Sequence, residues 1–285
     1  MRGKTASSLM KRISVTVSQH PILAFFLLTV LFSWGPIAVV LQTTGTVDNG
    51  QLVWWQLLLV FGAMLLGPAI AGLTLTALAG GRTGLRALWK RQTKWRVAPR
   101  WYGVALLTTP AVLFIVLGGL WILSPEVSRR LVPGGDLTTV LIFGLIVGLA
   151  AGFIEEIGWT GFGLPRLRDQ YGVLVTGSVL GVFWGGWHAL ADFWLLFDEF
   201  GQLWVPRIAL WIMALTAYRV LMAWVYERSR SLFVAQLMHA SFTGTQFIMI
   251  APVSPGEHFI WYGPFTVLLC SSAVALSFHL RWRKS

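Results

Sequence analysis

A chain of 285 residues that is 56% hydrophobic and only 12% charged does not read as a soluble domain, in which about 25% of residues carry charge. Its mean hydropathy of +0.70 points to an integral membrane protein. The formal charge of +11 raises nucleic acid as a partner, but the Lys and Arg residues cluster beside apolar runs without a zinc-finger, helix-turn-helix or RNA-binding signature, and that reading is set aside.

Eight segments reach the roughly 20 apolar residues that a helix needs to cross the hydrocarbon core. They are 21–42, 53–79, 101–123, 138–160, 173–195, 206–226, 232–251 and 259–280. The predicted fold is therefore all-α, a polytopic transmembrane helix bundle, because a spanning segment must satisfy its backbone groups internally. Two units are expected: a basic cytoplasmic segment at 1–20, and a single transmembrane domain at 21–285.

In chain order, Arg2, Lys4, Lys11 and Arg12 precede PILAFFLLTVLF, the pattern of a signal peptide. The apolar run continues through SWGPIAVVL with no small-residue cleavage site, so it reads as a retained first span. The loop GGRTGLRALWKRQTKWRVAPR holds seven cations and reads as a connector held against anionic headgroups. The fourth span ends in GFIEEIGWTGFGLPRL, the fifth carries His188 and Asp192, the sixth Arg219 and the seventh His239. Cys270 in the eighth has no cysteine to pair with, and a packing role is expected.

Positive charge sets the orientation. With a cytoplasmic N-terminus, the inner segments 1–20, 80–100, 161–172, 227–231 and 281–285 hold 4, 7, 2, 2 and 3 Lys or Arg residues. The outer side holds Arg129, Arg130 and Arg207, so both termini are predicted to be cytoplasmic. Trp54, Trp55, Trp101, Trp204 and Trp261 fall near span ends, as an aromatic belt would place them. His20, His258 and His279 also fall near boundaries and read as interfacial.

Glu155, Glu156, His188, Asp192, Arg219 and His239 then lie within the membrane, where an ionisable group costs roughly 2.5–3.5 kcal/mol on insertion scales and is a functional candidate by default. Glu156 is followed by Thr160, His188 by Asp192 and His239 by Thr243, each four residues on and on the same helix face. Small neighbours, Gly158 and Gly161, Gly185 and Gly186, Ala240 and Ser241, let helices approach closely. Three spans could converge on one polar cavity. The plainer readings are a helix cap for the glutamates and an interhelical hydrogen bond for His188.

These stretches resemble the CPBP family, intramembrane proteases that include CAAX prenyl endopeptidases and bacteriocin-processing or self-immunity proteins. The family pattern is EExxxR, FxxxH and HxxxN (or a similar small polar residue in place of the asparagine), each on a separate span. Its counterparts are Glu155 to Thr160, Trp184 to His188 and His239 to Thr243, within a core at about 138–251. Thr160 stands where the pattern has arginine, Trp184 where it has phenylalanine, and Thr243 where it has asparagine. The aromatic change reads as packing. The missing arginine leaves Glu156 in need of a cation, and Arg219 is a candidate by depth.

The resemblance implies an intramembrane endopeptidase acting on a membrane-associated protein or peptide, in a bacterial plasma membrane. It makes Glu155 the general base and Glu156 a structural partner. His188 would assist in activating water, with His239 and Thr243 donating to the oxyanion. From spacing alone, Asp192 would orient His188. Two histidines and a glutamate also match a zinc ligand set, so zinc as a cofactor stays open. A catalytically inactive self-immunity or scaffold protein and a proton-coupled transporter are the alternatives. Depth leaves one tension: Glu155 lies about eight residues from the inner loops, whereas His188 lies about 15 residues into its span.

Overall fold

The computed structural model describes residues 19–44, 53–250 and 254–282. The segment 1–20 lies almost wholly outside these, as do Asp48 and the final cations Arg283 and Lys284. The described residues form helices and no strand: α1 Pro21–Thr44, α2 Trp54–Gln92, α3 Pro99–Leu123, α4 Pro125–Leu131, α5 Leu137–Gly158, α6 Leu164–Arg168, α7 Val173–Trp187, α8 Ala189–Phe200, α9 Trp204–Ser229, α10 Leu232–Met249 and α11 Pro255–Trp282. A π turn, Trp159–Gly163, joins α5 to α6, and a 3₁₀ turn, Gly201–Leu203, joins α8 to α9.

Six stretches among the described residues are long and apolar enough to cross a membrane: Pro21–Gln42, Trp54–Gln92, Pro99–Leu123, Leu137–Arg168, Ala189–Ser229 and Pro255–Trp282. The chain is an integral membrane protein. The two remaining expected spans differ. The fifth divides at His188, leaving α7 with 15 residues, about 22 Å at 1.5 Å per residue and too short to span alone. The Trp187 carbonyl at that break accepts from the Trp34 indole at 3.0 Å. The seventh, α10, has 18 residues and a largely buried surface.

The second and fourth spans overrun their expected ends. Helix α2, with 39 residues, is far longer than a bilayer core needs, and it kinks at Gly81. There φ is +53°, a conformation that glycine adopts without strain. The basic stretch after it is mostly helical, and two of its cations hold protein. Arg91 donates to Tyr226 Oη (2.9 Å) and the Gly161 carbonyl (2.8 Å), and Lys94 donates to the Ser229 carbonyl (3.0 Å). The fourth span starts at an Asp136 cap. Hydrogen bonds from Thr139, side chain foremost, and from Thr138 hold that carboxyl below the usual carboxylate range. It then continues through the π turn to Arg168. Glu155 is therefore thirteen residues, about 20 Å, from the span's end. His188 lies 15 residues after the start of α7, so the two are at similar distances along their helices.

Two glycine ladders bring the helices together. A Cβ on Gly148 would sit 2.5 Å from the Ala240 carbonyl, and one on Gly152 2.3 Å from that of Gln236, so α5 meets α10 backbone to backbone. Gly177, Gly181 and Gly185 do the same for α7 against α9, at Val220, Thr216 and Ile212. Small residues are what allow such approach within a membrane. Gly186, by contrast, has open space around it.

Helices α9 and α10 are joined by a turn of two residues. Arg230 takes the left-handed conformation there (φ +52°), and the Ser231 hydroxyl caps α10. That hydroxyl also donates to the Lys94 carbonyl at 2.5 Å, tying the turn to the basic stretch. Of the expected belt, Trp54 is exposed, whereas Trp101 and Trp261 are core residues. His258, expected at the interface, is also buried. Cys270 is half-buried and lines an apolar groove of about 500 Å³ between α9 and α11.

Candidate active site

Glu156 is sealed from solvent, and helices α9 and α10 and the π turn supply its partners. From α9, Arg219 Nη1 donates to Oε2 at 2.9 Å and Nη2 to Oε1 at 2.8 Å. From α10, His239 Nδ1 meets Oε1 at 2.8 Å. One turn on, the Thr160 hydroxyl donates to Oε2. Glu156 and Arg219 are both 0% exposed. A lone buried carboxylate is unsustainable, and a bidentate guanidinium with further hydrogen bonds is the arrangement that offsets its desolvation. The cation missing at Thr160 thus comes from Arg219, as depth suggested.

Glu155 points elsewhere, as adjacent helical residues must. It is 5% exposed, and its Oε2 accepts from the indoles of Trp159 (3.2 Å) and Trp184 (3.3 Å). None of the described hydrogen bonds uses Oε1. The π turn begins at Trp159, directly after the glutamates, and π turns often mark functional sites. Arg91 caps its Gly161 carbonyl.

Trp184 does more than pack. Its N–H bonds Glu155, its ring lies 4.2 Å from the Arg219 guanidinium, and its centroid is 4.9 Å from the His239 ring and 6.1 Å from the His188 ring. A phenylalanine would keep the ring contacts and lose the donor. One side chain therefore bonds Glu155, stacks on the arginine that holds Glu156, and faces both histidine rings.

His188 is half-buried at the end of α7, against the rings of Trp187 (4.8 Å) and Trp211 (5.6 Å). It makes no direct hydrogen bond to Glu155 among the described residues. Thr243 is half-buried one turn after His239, and its hydroxyl has no protein partner among them. Asp192 does not orient His188. Its oxygens are taken by Trp204 Nε1 (2.8 Å) and by Arg207, which lie beyond the 3₁₀ turn. Spacing gave the shared face but not the nearer competitors.

Both Glu156 oxygens are committed and His239 turns Nδ1 toward Glu156, so Glu156 is not open to a metal, and among the described residues no group of three His, Cys, Asp or Glu lies together as a ligand set.

Three features at this site went unread in the sequence. They are the indole donors Trp159 and Trp184, the Arg91 clamp, and the glycine ladders at 144, 148, 152 and at 177, 181, 185, of which Gly185 alone is singled out from the sequence. The ladders were visible as four-residue glycine spacings.

The model of the family described as type II CAAX prenyl endopeptidase Rce1-like matches residues 137–245, which contain every motif residue above. A curated relative, CAAX prenyl protease 2 of Methanococcus maripaludis, is 28% identical over 86 residues. That alignment covers 30% of this chain and 32% of the relative, so the chain spans about a third of the length of the curated protein it matches.

Proposed function

We propose that this chain, whose residues 137–245 match the Rce1-like family model, is an intramembrane endopeptidase of the CPBP family. It would cut a peptide bond near the C-terminus of a membrane-associated protein or peptide, of the CAAX type that the matched family's name describes. The observation that carries this reading is the division of labour between the glutamates. Glu156 is immobilised by Arg219, Thr160 and His239, while Glu155 keeps one oxygen without a protein partner among the described residues and is held by Trp184, whose ring faces both histidines.

In this reading Glu155 Oε1 takes a proton from water as the oxygen attacks the scissile carbonyl, and the same carboxyl returns that proton to the leaving amine. The two indole N–H groups hold the carboxylate in place and support its charge. Glu156, paired with arginine, can only accept, so a neutral His239 carries its proton on Nδ1 and presents Nε2 as an acceptor to the water. Thr243 then supplies a hydroxyl donor to the developing oxyanion; such donors are typically worth about 3–4 kcal/mol. No step here passes through zinc.

Thr160 was the feature that favoured an inactive self-immunity or scaffold protein, and Arg219 supplies what it lacks. The bacterial plasma membrane is the setting we assign. Mass spectrometry of membrane-protein C-termini, in cells carrying the wild-type chain or Glu155→Gln, tests the proposal. Truncated C-termini should appear only with the wild type; identical termini in both would reject it.

A further inference from the structure

A second buried cluster adjoins His188 and has no part in the chemistry above. Ring contacts lead from His188 to Trp211 (5.6 Å), on to Tyr262 (5.7 Å) and on to His258 (5.0 Å). His258 meets Phe200 at 5.5 Å, and the Arg207 guanidinium lies 4.9 Å over that same ring. Arg207 is 7% exposed and His258 8%, and Arg207 is within electrostatic range of His188, His258 and Tyr262.

The chemistry of this cluster is one-sided. Arg207 Nε, Trp187 Nε1, Trp211 Nε1, Tyr262 Oη and His258 Nε2 are all buried without a hydrogen-bond partner. The first three can only donate, and the other two can do so. Buried donors left unpaired are costly and rare, so a run of them between His188 and Arg207 signals a missing acceptor. Asp192 engages Arg207 through Nη1 alone, which leaves the Nε edge of the guanidinium free. A carboxylate offers two acceptor oxygens in the geometry that such an edge matches.

We propose that this cluster binds the free C-terminal carboxylate of the peptide, with Arg207 as its anchor. The identity of the guest rests on the endopeptidase reading. Anchoring the chain end beyond His188 would set the scissile bond a fixed number of residues from the C-terminus. Arg207 is then a specificity-determining residue, outside the catalytic machinery.

Binding tests this without turnover. An aliphatic tripeptide, as the free acid and as the C-terminal amide, is titrated into the full chain in nanodiscs. The acid should bind about 10- to 100-fold more tightly to the wild type, and Arg207→Gln should reduce that ratio to below about threefold. Arg207→Lys keeps a charge opposite Asp192 and should retain part of the preference. Equal binding of acid and amide by the wild type, or a full preference surviving in Arg207→Gln, would overturn the proposal and mark a water site only. Cleavage of a prenylated peptide is read in the same preparation. Acid-selective binding without cleavage counts against the endopeptidase and leaves the carboxylate site standing; cleavage indifferent to the chain end does the reverse.

Discussion

Arg219 grips Glu156 through both terminal nitrogens, at 2.8 and 2.9 Å, across 63 residues of sequence and with neither side chain exposed. Removing one partner strands the other's charge. Arg219→Met should destabilise the protein by about 3–5 kcal/mol, read as lost thermal stability in detergent. Glu156→Gln combined with Arg219→Met should be less damaging than the two single effects added, because the pair acts as a unit.

Placing an arginine at position 160, as in the EExxxR pattern that the motif resembles, should do harm here. Thr160 is fully buried against Glu156, and Arg219 Nη1 already reaches its hydroxyl at 3.5 Å. Thr160→Arg would set two guanidinium groups against one carboxylate in a sealed space, and folded yield should fall. Adding Arg219→Thr should recover folded protein, because the cation has then moved rather than doubled. Size-exclusion recovery of the two variants decides this.

Trp184→Phe separates the donor from the ring. It keeps the aromatic contacts to Arg219 and His239 and removes the N–H that Glu155 accepts. Folded protein should be retained, and kcat should fall by about tenfold, the worth of one hydrogen bond to a charged group. An unchanged kcat would return Trp184 to a packing role.

The sequence made six apolar stretches and the Glu156–Thr160 pair legible, because hydropathy and i, i+4 spacing are local properties. Even the Arg219 partnership followed from depth. What failed was non-local. Helix α7 is short because the chain breaks at His188, where Trp34 from the first span takes the exposed carbonyl. Asp192 prefers Arg207 and Trp204, which only the turn after α8 brings near. Trp184 read as packing because a residue's type shows that it has a donor without showing where the donor points.

The glycine ladders give a further check. A methyl group on Gly148 would collide with the Ala240 carbonyl at 2.5 Å, whereas Gly186 has nothing within 4 Å. Gly148→Ala should lower stability by about 1–3 kcal/mol through overpacking. Gly186→Ala should be neutral or stabilising by up to about 1 kcal/mol. Parallel thermal melts of the two variants check both.

The most direct measurement is cleavage of a prenylated C-terminal peptide by purified protein in liposomes, comparing wild type with Glu155→Gln. That change keeps the side chain's size and removes the base. The wild type should release the C-terminal fragment, and the variant, with an unaltered melting profile, should be slower by about 10²- to 10⁴-fold. Equal cleavage by both proteins, or cleavage by neither, would contradict Glu155 as the base of an intramembrane endopeptidase.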